Sequence, residues 1–170
     1  MRIFKHLLCT LLLALTSVGA WAEFTPGTYY LQTASGTYID ALAVNSNNPG
    51  AKFQTTSATA FTFTAVSSGY TIQNASNNNY LLYSTANNWN TKMSESASET
   101  NYAGVWSVAE DASGKISISR QHNSTTNYLG NSNTNAGTGV FSGETSAVWY
   151  TLVTENPFAP SPVSFDPAKF

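Results

Sequence analysis

Apolar and polar residues alternate with a period of two in Thr62-Phe63-Thr64, Ile116-Ser117-Ile118-Ser119 and Tyr150-Thr151-Leu152. Alternation of this kind predicts strands with one face buried and one face wet. The short apolar runs are separated by Asn45-Ser46-Asn47-Asn48-Pro49-Gly50, Asn77-Asn78-Asn79 and Asn131-Ser132-Asn133-Thr134-Asn135. Asparagine and serine in such clusters bond their own backbone and tolerate positive φ, so these stretches read as turns. Beyond residue 22 no segment has a helical period, and Met93 to Asn101 is the one stretch expected to form a short turn of helix.

The pattern repeats. Sliding the chain on itself aligns Tyr29 and Leu31 with Tyr70 and Ile72 and with Ile116 and Ile118. Further columns hold Tyr38-Ile39, Tyr80-Leu81 and Tyr128-Leu129; then Phe53, Met93 and Phe141; then Phe61, Trp106 and Trp149. The spacing between copies is about 41 to 46 residues, and a recurring period of this size decides architecture before any local pattern does. Ser68-Gly69 and Ser113-Gly114 mark the joins, giving repeats at about 27–69, 70–114 and 115–155. Each repeat supplies about four short strands, about twelve in all. None can bury its aromatic face alone, so the three must share a core, and a closed barrel removes exposed sheet edges. A propeller typically needs four to eight such units, which three copies do not reach.

At the start of the chain, Arg2 and Lys5 precede an apolar run from Leu7 to Val18, and Ala20-Trp21-Ala22 precedes Glu23. These features predict a secretory signal peptide over 1–22, because the run is shorter than the roughly 20 residues a spanning helix needs. Cys9 lies inside the run rather than at the cleavage point, so a lipid anchor is not expected. Residues 23–155 then form one all-β domain, and Pro157, Pro160, Pro162 and Pro167 make 156–170 a Pro-rich tail. No cysteine remains after residue 22, so the fold is held by its core without disulfides. Setting Arg2 and Lys5 aside leaves five basic side chains against nine acidic ones. Nothing in that balance draws the protein to nucleic acid or to an anionic membrane.

The repeated units resemble the β-trefoil of ricin-type lectins, and the second, with Asn88-Trp89-Asn90-Thr91, is similar to trefoil modules in secreted bacterial proteins. The first copy carries the likeness best: Tyr38-Ile39-Asp40-Ala41 stands where that family has Cys-Leu-Asp-Val, and Pro49-Gly50-Ala51-Lys52-Phe53-Gln54 where it has Asp-Gly-x-x-Val-Gln. The resemblance implies a β-trefoil fold and a sugar held by Asp40 and Gln54, although Thr56 occupies the stacking place. Leu82 and Gly130 replace the aspartate in the other copies, and Thr59, Gly104 and Ala147 replace the glutamine of the family's Gln-x-Trp signature. Binding at three equivalent sites is therefore not expected.

Trp89 is the one tryptophan beyond the signal segment that falls outside the closing-strand column, and it sits with Asn90 in an asparagine-rich loop. An exposed indole flanked by amides suits stacking on a sugar ring. The candidate carbohydrate-binding residues are thus Asp40, Gln54, Trp89 and Asn90. Catalysis has little to stand on. His122 is the one histidine beyond the signal segment, no metal-ligand spacing or phosphate loop occurs, and Glu95 and Glu99 read as a solvated face rather than a glycosidase pair. The sequence predicts a secreted, monomeric, non-catalytic module without cofactor or metal, taking a glycan or polysaccharide. The alternative is a protein-binding, structural or inhibitory module of an extracellular assembly.

Overall fold

The computed structural model describes residues 23–44, 49–86, 88–131 and 139–160. The expected signal peptide, the asparagine-rich turns at 45–48 and 132–138, and the tail from 161 onward lie outside the described residues. Fourteen strands follow one another: β1 Thr28–Gln32, β2 Tyr38–Ala41, β3 Ala51–Gln54, β4 Phe61–Val66, β5 Gly69–Asn74, β6 Tyr80–Ser84, β7 Thr91–Ser94, β8 Ser98–Glu99, β9 Tyr102–Ala103, β10 Val105–Glu110, β11 Ile116–His122, β12 Thr125–Gly130, β13 Gly139–Glu144 and β14 Trp149–Val153. The protein is all-β among the described residues, where no helix is long and apolar enough to cross a membrane.

Six strands close a barrel. β1 pairs with β4, β4 with β5, β5 with β10, β10 with β11, β11 with β14, and β14 returns to β1, every pairing antiparallel. The register is repeated around the ring: Tyr29 faces Phe61, Tyr70 faces Trp106, and Ile116 faces Tyr150. Period-two alternation then turns Leu31, Ile72 and Ile118 inward, each fully buried beside Phe61, Trp106 and Tyr150. A closed ring has no free edge to recruit another chain, which matters for a polypeptide so poor in charge.

Three hairpins, β2–β3, β6–β7 and β12–β13, complete the sheet. They meet around one side chain. The Thr91 hydroxyl accepts the Gly50 N–H at 3.0 Å and donates to the Val140 carbonyl at 2.6 Å, so a single buried group in β7 ties the β3 and β13 hairpins together. Ala51, Thr91 and Val140 are fully buried there.

The turns use the chemistry the sequence announced. Asn78, Asn101 and Asn123 have positive φ, and Asn123 with Ser124 (φ 47° and 64°) makes the two-residue connection between His122 and Thr125. Two successive positive-φ residues match the twist of a tight hairpin. Gly69 (φ 151°) admits no side chain, because a Cβ there would stand 2.3 Å from the Trp106 carbonyl oxygen.

Two expectations need correction. Met93 to Asn101 forms no helical turn; it contributes β7 and the small β8–β9 hairpin, which raises the strand count above twelve. The reason is local: Asn101 (φ 65°) turns the chain, and Glu99 is tied back to Lys92 and Ser94 of β7. Second, Trp149 is only half-buried, and its neighbour Tyr150 fills the core position. Tyr150 donates its hydroxyl to the Leu129 carbonyl at 2.8 Å, just as the Trp106 indole N–H donates to the Leu81 carbonyl at 2.8 Å. In two of the three positions of this column a donor at the far end of the ring reaches a hairpin carbonyl, and Phe61 fills the third without one. The start of the Pro-rich tail lies along the surface, where Phe158 packs edge-on against Tyr38 at 5.5 Å while remaining 37% exposed.

Burial raises the Tyr150 phenol far above its ordinary value, so it acts as a permanent donor. Tyr150→Phe leaves the Leu129 carbonyl unpaired in the core and is expected to lower stability by about 1–3 kcal/mol in urea unfolding, with no change of fold.

Candidate functional site

The threefold register allows positions to be compared across the joins. Two residues beyond Leu31, Ile72 and Ile118 stand Thr33, Asn74 and Arg120. Thr33 accepts the Thr37 N–H at 3.2 Å and bonds the hydroxyls of Ser35 and Thr37. Asn74 likewise accepts from Ser76, both N–H at 2.9 Å and hydroxyl at 2.8 Å. These short side chains close their own turns. Beside them lie two open clefts of about 350 Å³ each, one lined by Tyr30, Thr59, Ala60, Asn74 and Ser76, the other by Thr33, Ser35, Thr37, Phe53 and Val148.

The matching place in the third copy, where β11 leads into β12, is built differently. Arg120, only 2% exposed, reaches away from its own turn and donates to three carbonyls of the neighbouring hairpins: Ser84 at 2.7 Å, Asn88 at 3.1 Å and Ser142 at 3.3 Å. Its guanidinium lies between two rings, 5.3 Å from the centre of Tyr83 and 5.4 Å from that of Trp89. Tyr83 in turn sits edge-on to core Trp106 at 4.8 Å. A continuous stack therefore runs from the barrel interior through Tyr83 and Arg120 to Trp89 at the surface. Burial lowers the guanidinium from its ordinary value and raises the Tyr83 phenol, against the pull of Arg120.

Trp89 is 39% exposed, yet it is firmly held. Its carbonyl accepts both the N–H (2.8 Å) and the hydroxyl (3.2 Å) of Ser142, and its ring meets that of His122 edge-on at 5.5 Å. Asn90 donates its N–H to the Asn88 side chain and accepts from Ser84 N–H, which fixes the loop from inside. His122 contacts Arg120 through Nδ1 at 3.4 Å and Asn123 through Nε2 at 3.2 Å. The surface so formed offers a fixed aromatic face, with amide and imidazole groups at its rim. Among the described residues no cluster of histidine, cysteine, aspartate or glutamate could hold a metal ion.

Asp40 and Gln54 lie elsewhere, on the outer face of the β2–β3 hairpin, where Tyr38 pairs with Gln54 and Asp40 with Lys52. The Asp40 carboxylate is already engaged: it accepts the Ser57 hydroxyl at 2.6 Å and the Thr59 hydroxyl at 2.7 Å, and Thr59 accepts the Ala41 N–H at 2.9 Å. It organises the loop into β4. The structure thus brings Trp89 and Asn90 together in one loop and places Asp40 and Gln54 on a separate hairpin.

Sequence reasoning passed over Arg120 and Tyr83. The signal for Arg120 was present, since the alternation Ile116, Ile118, Arg120 turns it inward where the other copies carry Thr33 and Asn74. His122, read as a solvated loop residue, is half-buried against Trp89.

Comparison with solved structures finds a salivary protein from Culex quiquefasciatus that belongs to the Cysteine and Tryptophan-Rich (CWRC) family, with a TM-score of 0.57 and 16% identity over 78% of this chain and 96% of that one. No family model matches the chain, and no curated protein does. At this identity the likeness extends to the β-barrel fold alone. The resemblance to ricin-type lectins does not hold. The structural likeness leads to a salivary protein of another family, and the one aspartate that carried the lectin motif is consumed by Ser57 and Thr59.

Two consequences can be measured. Asp40→Ala removes two hydroxyl partners from a half-buried loop and is expected to cost about 1–3 kcal/mol in denaturant unfolding, whereas Trp89→Ala, at an exposed ring, costs less than about 1 kcal/mol. The second concerns Glu99, whose carboxyl is held below its ordinary value by hydrogen bonds from Lys92 and then Ser94. Because the folded value is depressed, this contribution is complete above the ordinary glutamate range and is lost as pH falls through the folded value. The Lys92–Glu99 pair is partly exposed, so the effect stays within about 1 kcal/mol. Stability of Glu99→Gln followed against pH is expected to lack that acid-side loss.

Proposed function

We propose that this protein is a secreted, non-catalytic carbohydrate-binding module, distinct from the ricin-type family, whose binding surface is the Trp89 platform with Asn90 and His122 at its rim. The barrel is of the trefoil type in this reading, supported by six ring strands and three hairpins in one recurring register. Secretion is supported by the signal-like segment at 1–22 and is compatible with the salivary origin of the structural relative.

One observation carries the reading. An indole that is 39% exposed is held by two hydrogen bonds to its carbonyl, by the His122 ring and by the Arg120 guanidinium beneath it. An aromatic ring fixed before the ligand arrives loses little freedom on binding, and its face covers the apolar side of a sugar ring while nearby amides exchange hydrogen bonds with hydroxyls. The barrel needs no such ring, because the other two joins close without one. Asp40 and Gln54 stand outside this site. A single shallow platform binds weakly, so clustering on a surface would supply useful affinity.

The test is binding of the purified protein to a broad glycan array and to insoluble polysaccharides, beside Trp89→Ala. Binding is expected for the parent, with loss of at least about tenfold in the variant while its unfolding curve stays unchanged. Silence of a folded protein on every glycan, or binding indifferent to Trp89→Ala, would overturn the proposal.

A further inference from the structure

Arg120 presents a charge that the fold has not neutralised. It is 2% exposed, and burying a cation is costly unless an anion accompanies it. Its partners are three carbonyls, the Nδ1 of His122 and the faces of two rings, all of them neutral dipoles or quadrupoles. Among the described residues the one ion pair is Lys92–Glu99, so no carboxylate meets this guanidinium. Nor does the position itself demand a cation, since Thr33 and Asn74 occupy it in the other two copies. The charge sits directly under the exposed indole, 5.4 Å from its centre.

We infer that the ligand of the Trp89 platform is an acidic saccharide, a sugar whose ring bears a carboxylate. This rests on the carbohydrate reading above and narrows it. A uronate ring stacked on the open face of Trp89 turns its carboxylate toward the rim at His122, within about a Debye length of the buried guanidinium. The two charges do not touch. They attract through protein of low dielectric, which strengthens the interaction relative to water, and the exposed side of the path leaves it sensitive to salt. Stacking supplies recognition of the sugar, and the guanidinium supplies preference for the acid.

The experiment is a titration of the purified protein with oligogalacturonate, with the same oligomer methyl-esterified, and with a neutral galacto-oligosaccharide of equal length, each at low and high salt. Polyglutamate serves as a polyanion without sugar rings. The free acid is expected to bind about tenfold more tightly than its ester, an advantage of about 1.4 kcal/mol that shrinks as salt rises. Trp89→Ala is expected to abolish binding of acid and ester alike. Equal affinity for acid, ester and neutral oligomer would overturn this inference and leave the carbohydrate reading standing. Equal binding of polyglutamate would also overturn it, by showing that charge alone is recognised. Absence of binding to these oligomers and to the whole glycan array would remove the carbohydrate reading, and this inference with it. The comparison varies the ligand, so it requires no substitution of the buried Arg120.

Discussion

The constraint on which the structure rests is that no third of the chain can bury its own apolar face. Leu31, Ile72 and Ile118 come from three separate stretches and fill one interior, and the hairpins that follow their strands are joined through the Thr91 hydroxyl. That hydroxyl is fully buried and makes two bonds to backbone groups of two other hairpins. Its value is that it gives the buried Gly50 N–H and Val140 C=O a partner away from water. With no cysteine after residue 22, nothing covalent substitutes for this shared interior.

Against that regular background the one irregular join stands out. Thr33 and Asn74 satisfy their own turns and leave clefts beside them, whereas Arg120 reaches out of its turn to three carbonyls and carries Trp89 on its far face. Arg120 and Trp89 thus mark the place where the third repeat departs from its siblings, a feature of this chain rather than of the fold, which hosts many functions.

Much of the fold was legible in the chain. Period-two alternation, asparagine turns and the recurrence of Tyr29, Tyr70 and Ile116 led to an all-β protein with a shared barrel core, as observed. What was misread has physical causes. Trp149 and Tyr150 are adjacent large aromatics, and one residue of register decides which faces inward: the pairing of Ile116 with Tyr150 turns Tyr150 into the core. The β8–β9 hairpin depends on the contact between Glu99 and Lys92, which no local period records. At the site, Trp89 was legible as a tryptophan out of column, but its support was not, because Arg120, Tyr83 and Ser142 meet it only after the second and third copies have packed. The lectin motif failed for a related reason: Asp40 and Gln54 matched in type and spacing, while the hydroxyls that occupy Asp40 lie far along the chain at Ser57 and Thr59.

The ring is closed by the pairing of β1 with β14, which sets Tyr30 against Val153. The first strand made therefore waits for the last, and until Val153 has emerged one seam of the barrel stands open with its edges unpaired. Contacts so distant in sequence form late and slowly. Early products of synthesis are thus hairpins without an interior, and with so little charge to keep them apart it is the abundant asparagine and serine of the turns that hold such intermediates in contact with water. Lateness has a consequence of its own: a polypeptide whose barrel cannot close before Val153 is available stays pliable until that strand arrives.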